Sequence, residues 1–262
     1  MELIPDLLKN KPTTETNLEV CYVIDRFLRK KENKAKRMNK VIGLQIMNRL
    51  TELLECCVDE DITENLLNIF YYMSNESAFE IKTIATDRFL GAIQGHLDSN
   101  NESYVKKALL ILTNCNKDEE TLDMHFNRDT IKVLILFTMT HKSKQIQYHA
   151  LDCISSFLES KSPKLINSII EFTDFTDRII EFCKNERRED EKRTLSAINF
   201  IEKLLINSEF MENRSGNPVV DFFEKNDYDF TLSELRDCSS GEIYNRLNEI
   251  INRWFPEEDD SF

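Results

Sequence analysis

The chain has 262 residues, room for one elongated domain or two small ones, and enough to bury a core without disulfide or metal staples. Only five Gly and five Pro exclude collagen, flexible linkers and most turn-rich all-β folds. A net charge of −13 sets the surface against nucleic-acid phosphates and anionic membranes, and suits a basic partner.

The first residues, MELIPDLLKNKP, carry neither a basic leader nor a long apolar core, so no secretory signal is expected. No later stretch has the roughly 18 uncharged apolar residues of a membrane span, and a cytoplasmic or nuclear setting is expected. Leu3, Ile4, Leu7 and Leu8 beside Pro5 make an apolar patch at which an obligate partner is expected to dock.

Six segments then place apolar residues at steps 0, +1, +3, +4 and +7, one wide face of a helix. They start at Val20, Leu66, Ala108, Ala150, Ala197 and Leu247, with one polar miss at Asn248. The intervals are 46, 42, 42, 47 and 50 residues. Between the stripes lie further helical segments: KVIGLQIMNRLTELLECC, ATDRFLGAIQGHL, DTIKVLILFTM, KLINSIIEFTDFTDRIIEFC and PVVDFFEK. Asp59-Glu60-Asp61, Ser99-Asn100-Asn101, Ser143-Lys144 and Ser239-Ser240-Gly241 supply helix starts before four of the stripes. No alternating apolar run argues for a strand, so the chain reads as all-α. A helical unit of this size matches armadillo or HEAT repeats, whose units bury their apolar faces only by stacking. Six long helices in an ordinary bundle would account for the same stripes without any period.

EIYNRLNEIINRWFPEEDD, residues 242 to 260, resembles the final armadillo helix of importin alpha, and VKKALLILTN at 105 to 114 is similar to the third helix of armadillo units. The resemblance implies a right-handed superhelical solenoid of about six units over residues 1 to 256, with third helices lining a concave groove for extended basic peptides. In importin alpha, tryptophans and asparagines of that groove grip the peptide. Their counterparts fall at steps +2 (Tyr22, Asn68, Leu110, Asp152, Asn199, Glu249) and +6 (Arg26, Tyr72, Asn114, Ser156, Lys203, Arg253). Only Asn114 keeps the groove asparagine, and no tryptophan stands at +2. A shifted register offers Tyr71 with Asn75.

The expected binding face is therefore Asn68, Asn114, Ser156 and Asn199 for backbone hydrogen bonds, Asp152 for a basic residue, and Leu110 and Tyr72 for apolar or stacking contact. Arg29, Lys30, Lys31, Lys34, Lys36 and Arg37 form a basic cluster, read as a solvated loop over 29 to 40. It also resembles a nuclear localisation signal or the arm that importin alpha offers to importin beta. Residues 257 to 262 read as a short acidic tail.

For enzymes, GxGxxG, GxxxxGK[ST], HExxH and GxSxG are all missing. The four histidines have no metal-ligand spacing, so neither metal nor cofactor is expected. His149 and Cys153 stand four apart, but Cys153 is a stripe residue and reads as a buried thiol. Seven Cys without a CxxC pair read as free thiols of a reducing compartment. The expected function is a non-enzymatic protein-binding scaffold. The alternatives are a divergent importin-alpha-type transport adaptor, with an importin-beta-like receptor as partner, and an armadillo-type nucleotide exchange factor for a heat-shock chaperone.

Overall fold

The computed structural model describes residues 3–9, 12–30, 32–75, 81–82, 84–116, 128–158, 163–171, 173–185, 191–209, 217–239 and 241–256. Among these residues the regular structure is helix alone, as the periodicity predicts. Contacts divide the chain into two compact units, Met1–Phe126 and Asn127–Phe262, where the sequence reading draws one domain through residue 256.

The first unit contains α1 (Ile4–Lys9), α2 (Thr14–Arg29), α3 (Lys34–Ile42), α4 (Met47–Cys56), α5 (Glu60–Ser74), α6 (Asp87–Gly95) and α7 (Glu102–Cys115). The second contains α8 (Arg128–Thr140), α9 (Lys144–Phe157), α10 (Pro163–Ile170), α11 (Thr173–Asn185), α12 (Glu191–Ser208), α13 (Pro218–Lys225), α14 (Tyr228–Asp237) and α15 (Gly241–Trp254). The six stripes are α2, α5, α7, α9, α12 and α15. Each from α5 onward packs on the helix before it in sequence: α4, α6, α8, α11 and α14. Stripe helices also pack on one another, α2 on α5 and α5 on α7 in the first unit, α9 on α12 and α12 on α15 in the second.

Local chemistry explains the boundaries. The Thr13, Asp59, Thr86 and Asn101 side chains accept from backbone N–H groups in the first turns of α2, α5, α6 and α7, satisfying donors that the helix cannot. Pro218 opens α13, where a missing N–H costs nothing, behind Asn217, which accepts from Val219 N and Val220 N. Gly241 takes φ +62° at the start of α15, a conformation that costs glycine little.

Packing follows the stripes. Of their thirty residues only Val23, Phe27, Asn248 and Trp254 escape full burial, all in the first or last helix. Phe89 and Phe182 are core, Phe137 is half-buried, and Phe79 and Phe126 lie outside the described residues. Cys21, Cys115, Cys153 and Cys183 are buried free thiols, and burial pushes those of Cys21 and Cys183 up to about 12. Cys56 and Cys238 are exposed and also unbridged.

One expected outline changes, and two of the segments between stripes resolve into helix pairs. The basic cluster is not a loop throughout: from Lys34 it becomes α3, because Met38 and Val41 supply an apolar edge inside the charged run and are buried. The 40–57 segment is a helix pair, broken at residues 43–46, where Gln45 adopts φ 55°. The 164–183 segment likewise ends one helix at Ile170 and starts the next at Thr173.

Candidate functional site

Neighbouring stripe helices are joined by side chains in a repeated way. Residues at steps −1 and +6 reach back to the preceding stripe helix. In α7, Lys107 (−1) contacts the Glu64 carboxylate at 2.8 Å, and the Asn114 (+6) amide donates to the Ser74 hydroxyl at 3.2 Å. In α12, Ser196 (−1) donates to Asp152 at 3.1 Å, and Lys203 (+6) reaches the Ser155 carbonyl at 3.5 Å. In α15, Arg246 (−1) donates to Asn199 at 2.6 Å and pairs with Glu202 at 3.1 Å, while Arg253 (+6) pairs with Glu209 at 2.8 Å. These bonds are rungs between successive stripe helices, on the side that carries steps −1, +2 and +6.

Between α2 and α5, among the described residues, no rung is made. The helices instead bound an open cleft of about 520 Å³, lined by Leu18, Glu19, Tyr22, Arg29, Asp61, Glu64, Asn65 and Asn68. These are steps −2, −1, +2 and +9 of α2 and −5, −2, −1 and +2 of α5, so the same face carries the gap. The Tyr22 ring is 48% exposed. The Arg26 guanidinium stands over it, 5.4 Å from the centroid, and donates to its hydroxyl at 3.1 Å. Arg29 is held by Asp25 at 2.8 Å and Glu64 by Lys107. Glu19 and Asp61 therefore remain as carboxylates without an ion-pair partner, and the cleft carries negative potential.

The expected binding residues divide accordingly. Asn68 lines the cleft, together with Arg29 of the basic cluster. Tyr72 is half-buried, its ring 5.7 Å from that of Tyr71, and Leu110 is half-buried. Asn114 is buried against Ser74, and Ser156 is buried and donates to the Cys153 carbonyl of its own helix at 2.7 Å. Asp152 and Asn199 serve as rungs. Burial raises the Asp152 carboxyl above its ordinary range, against the lowering influence of Ser196, Lys203 and Tyr148. Lys30 and Lys36 are exposed, Arg37 is half-buried, and Lys31 and the Lys34 side chain lie outside the described residues. The acidic tail from residue 257 lies outside them too.

Sequence reasoning missed Glu19, Asp61, Glu64 and Asn65. Steps +2 and +6, and one shifted register at Tyr71 and Asn75, were weighed as groove positions, although steps −1 and −2 lie on the same side of a 3.6-residue helix. Among the described residues no group of three His, Cys, Asp or Glu side chains could hold a metal, and no helix is long and apolar enough to cross a membrane.

No family model matches the chain, and no curated protein matches it. Solved structures do. A designed armadillo repeat protein, YIII(Dq)4CqI, is 14% identical over 94% of this chain and 97% of its own, with a TM-score of 0.74. Another, YIII(Dq.V1)4CPAF in complex with peptide (KR)4, is 14% identical over 95% and 98%, with a TM-score of 0.76. Computationally designed armadillo repeat proteins for modular peptide recognition give 0.77 at 13% identity over 95% and 98%. At such identities the likeness speaks for the fold alone, and the fold of this chain is an armadillo-like helical repeat.

Proposed function

We propose that this chain is a non-enzymatic scaffold that holds an extended basic peptide segment, with one Lys or Arg side chain entering the cleft between α2 and α5. The observation that carries this reading is the missing rung. An exposed aromatic face, two carboxylates without ion-pair partners and two amides converge where every other stripe-helix pair within a unit is bridged. A cationic stem lying on Tyr22 gains a cation–π contact of about 1 kcal/mol, and its head meets Glu19 or Asp61. The Asn65 and Asn68 amides each offer donor and acceptor to a peptide backbone. The likeness to a designed protein in complex with peptide (KR)4 supports the class of ligand.

The test is fluorescence anisotropy of a labelled alternating Lys-Arg octapeptide at about 0.15 M salt, where surface charges are screened beyond about 8 Å. Asp61→Lys is expected to weaken binding at least about tenfold and Tyr22→Ala about fivefold. The same charge change at exposed Asp237 is expected to alter it little. If all three variants match the wild type, the binding is general attraction to a chain of charge −13, and the cleft has no part in it.

A further inference from the structure

The rung pattern also shows what each end of the stripe series lacks. In α5, α7 and α12, the residues at steps +3 and +7 are almost wholly buried: Ile69 and Met73, Ile111 and Cys115, Phe200 and Leu204. With steps −1 and +6 they form the side turned to the preceding stripe helix, an arc of about 100° on the helical wheel. In α2, no stripe helix among the described residues packs on this side. Val23 at +3 is 47% exposed, and Phe27 at +7 is only half-buried. Glu19 at −1 and Arg26 at +6, the positions that elsewhere make rungs, are exposed. Arg26 folds onto its own Tyr22 instead.

The last stripe helix ends differently. On the opposite side of α15, Asn245, Asn248, Glu249 and Asn252 are exposed or half-buried, where α5 and α12 bury Leu67 and Ile198 at step +1. A polar outer face of this kind caps a repeat array. The α2 edge, with apolar Val23 and Phe27 at its centre, does not.

We infer that the α2 edge is a self-association surface, closed by the α2 of a second copy packed antiparallel about a two-fold axis near Val23. The charge order of the helix is what selects this occupant. Glu19 lies about 6 Å along the axis on one side of Val23, and Arg26 about 4.5 Å on the other. Both sit on the same flank, which a two-fold axis perpendicular to the plane of the helices preserves. Glu19 of each copy therefore meets Arg26 of the other, twice. By the same symmetry Lys30 falls opposite Thr16 and beside Glu15, while Val23 meets Val23 between the two Phe27 rings. An isologous contact uses one patch on each copy and stops at two. α1, which packs on α2, presents exposed Leu3 and Leu7 in the same unit. Glu19 also lines the peptide cleft, but Val23, Arg26 and Phe27 do not, so Val23→Asp tests this contact without touching the cleft, and Asp61→Lys tests the peptide reading without touching this contact.

Sedimentation equilibrium of the full chain from about 1 to 200 µM tests it, a range suited to a small, reversible interface. The wild type is expected to rise from 30.9 kDa towards twice that mass and to level off there. Arg26→Glu sets Glu19 against glutamate at both contacts, and is expected to weaken association at least about tenfold. Val23→Asp is expected to do the same. The double variant Glu19→Arg with Arg26→Glu restores both pairs with reversed sign and is expected to recover the wild-type curve. All three positions, Glu19, Val23 and Arg26, are at the surface, and circular dichroism at 222 nm confirms that each variant keeps its helices. A wild type that stays at 30.9 kDa throughout, growth beyond two copies, or a double variant that remains monomeric would each overturn the inference.

Discussion

Asp25 is the residue at which burial and charge conflict most openly. Its carboxylate is almost wholly buried in the first unit; one oxygen accepts from Arg29 at 2.8 Å, and Oδ1 has no hydrogen-bond partner. Desolvation raises its pKa above the ordinary 3.8, ahead of the opposing pull of Arg29. The sign follows from proton linkage. Below about 3.8 the group is protonated folded or unfolded, and it contributes its full stability there. As pH rises through the elevated folded value, that contribution is lost. Asp25→Asn is accordingly expected to match the wild type at pH 3 and to be more stable at pH 7. The gain should be about 1–3 kcal/mol, the usual cost of an unsatisfied buried polar group. Thermal melts of both proteins between pH 3 and 8 read the divergence directly.

Among the helices, boundaries rest on single capping side chains more than on propensity. Asn217 Oδ1 accepts from Val219 N at 2.9 Å, Val220 N at 3.3 Å and the Ser208 hydroxyl at 2.7 Å, so one oxygen starts α13 and fastens the end of α12. Asn217→Ala is expected to cost about 1–2 kcal/mol in urea unfolding, more than Asn101→Ala, whose cap holds only one backbone N–H. All six stripe helices were legible in the sequence because steps 0, +1, +3, +4 and +7 recur whatever the loops do. The break at 43–46 was not. Val41, Ile42, Leu44, Ile46 and Met47 keep the chain apolar across it, and glutamine is an unexpected residue at the left-handed position 45. The basic run hid α3 because two buried residues, Met38 and Val41, outweigh the charges around them. The groove positions were legible as a face but not as a site. A sequence displays Asp152 and Asn199 at step +2, and only coordinates reveal that Ser196 and Arg246 already hold them.

For the molecule as a whole, a charge of −13 opposes compaction, and the exposed ion pairs return little of that cost. Raising sodium chloride from about 0.01 to 0.3 M shortens the Debye length from about 30 Å to under 8 Å. The melting temperature is therefore expected to rise with salt. A fall would mean that surface pairs such as Arg88 with Glu52 and Glu55 outweigh the net repulsion.

The rungs across the stripe helices also set the valency of the proposed peptide grip. Asn199 and Glu202 are occupied by one guanidinium, that of Arg246, and Asp152 by the hydroxyls of Ser196 and Tyr148, so those positions are already filled. In the peptide reading proposed above, a single unbridged pair in the first unit makes recognition there monovalent: one anchored side chain decides which sequences are retained, and the remainder of the peptide is read only weakly. A scaffold of this kind selects short motifs that exchange quickly. Its apparent affinity grows by bringing two copies to one ligand rather than by lengthening the contact along one chain.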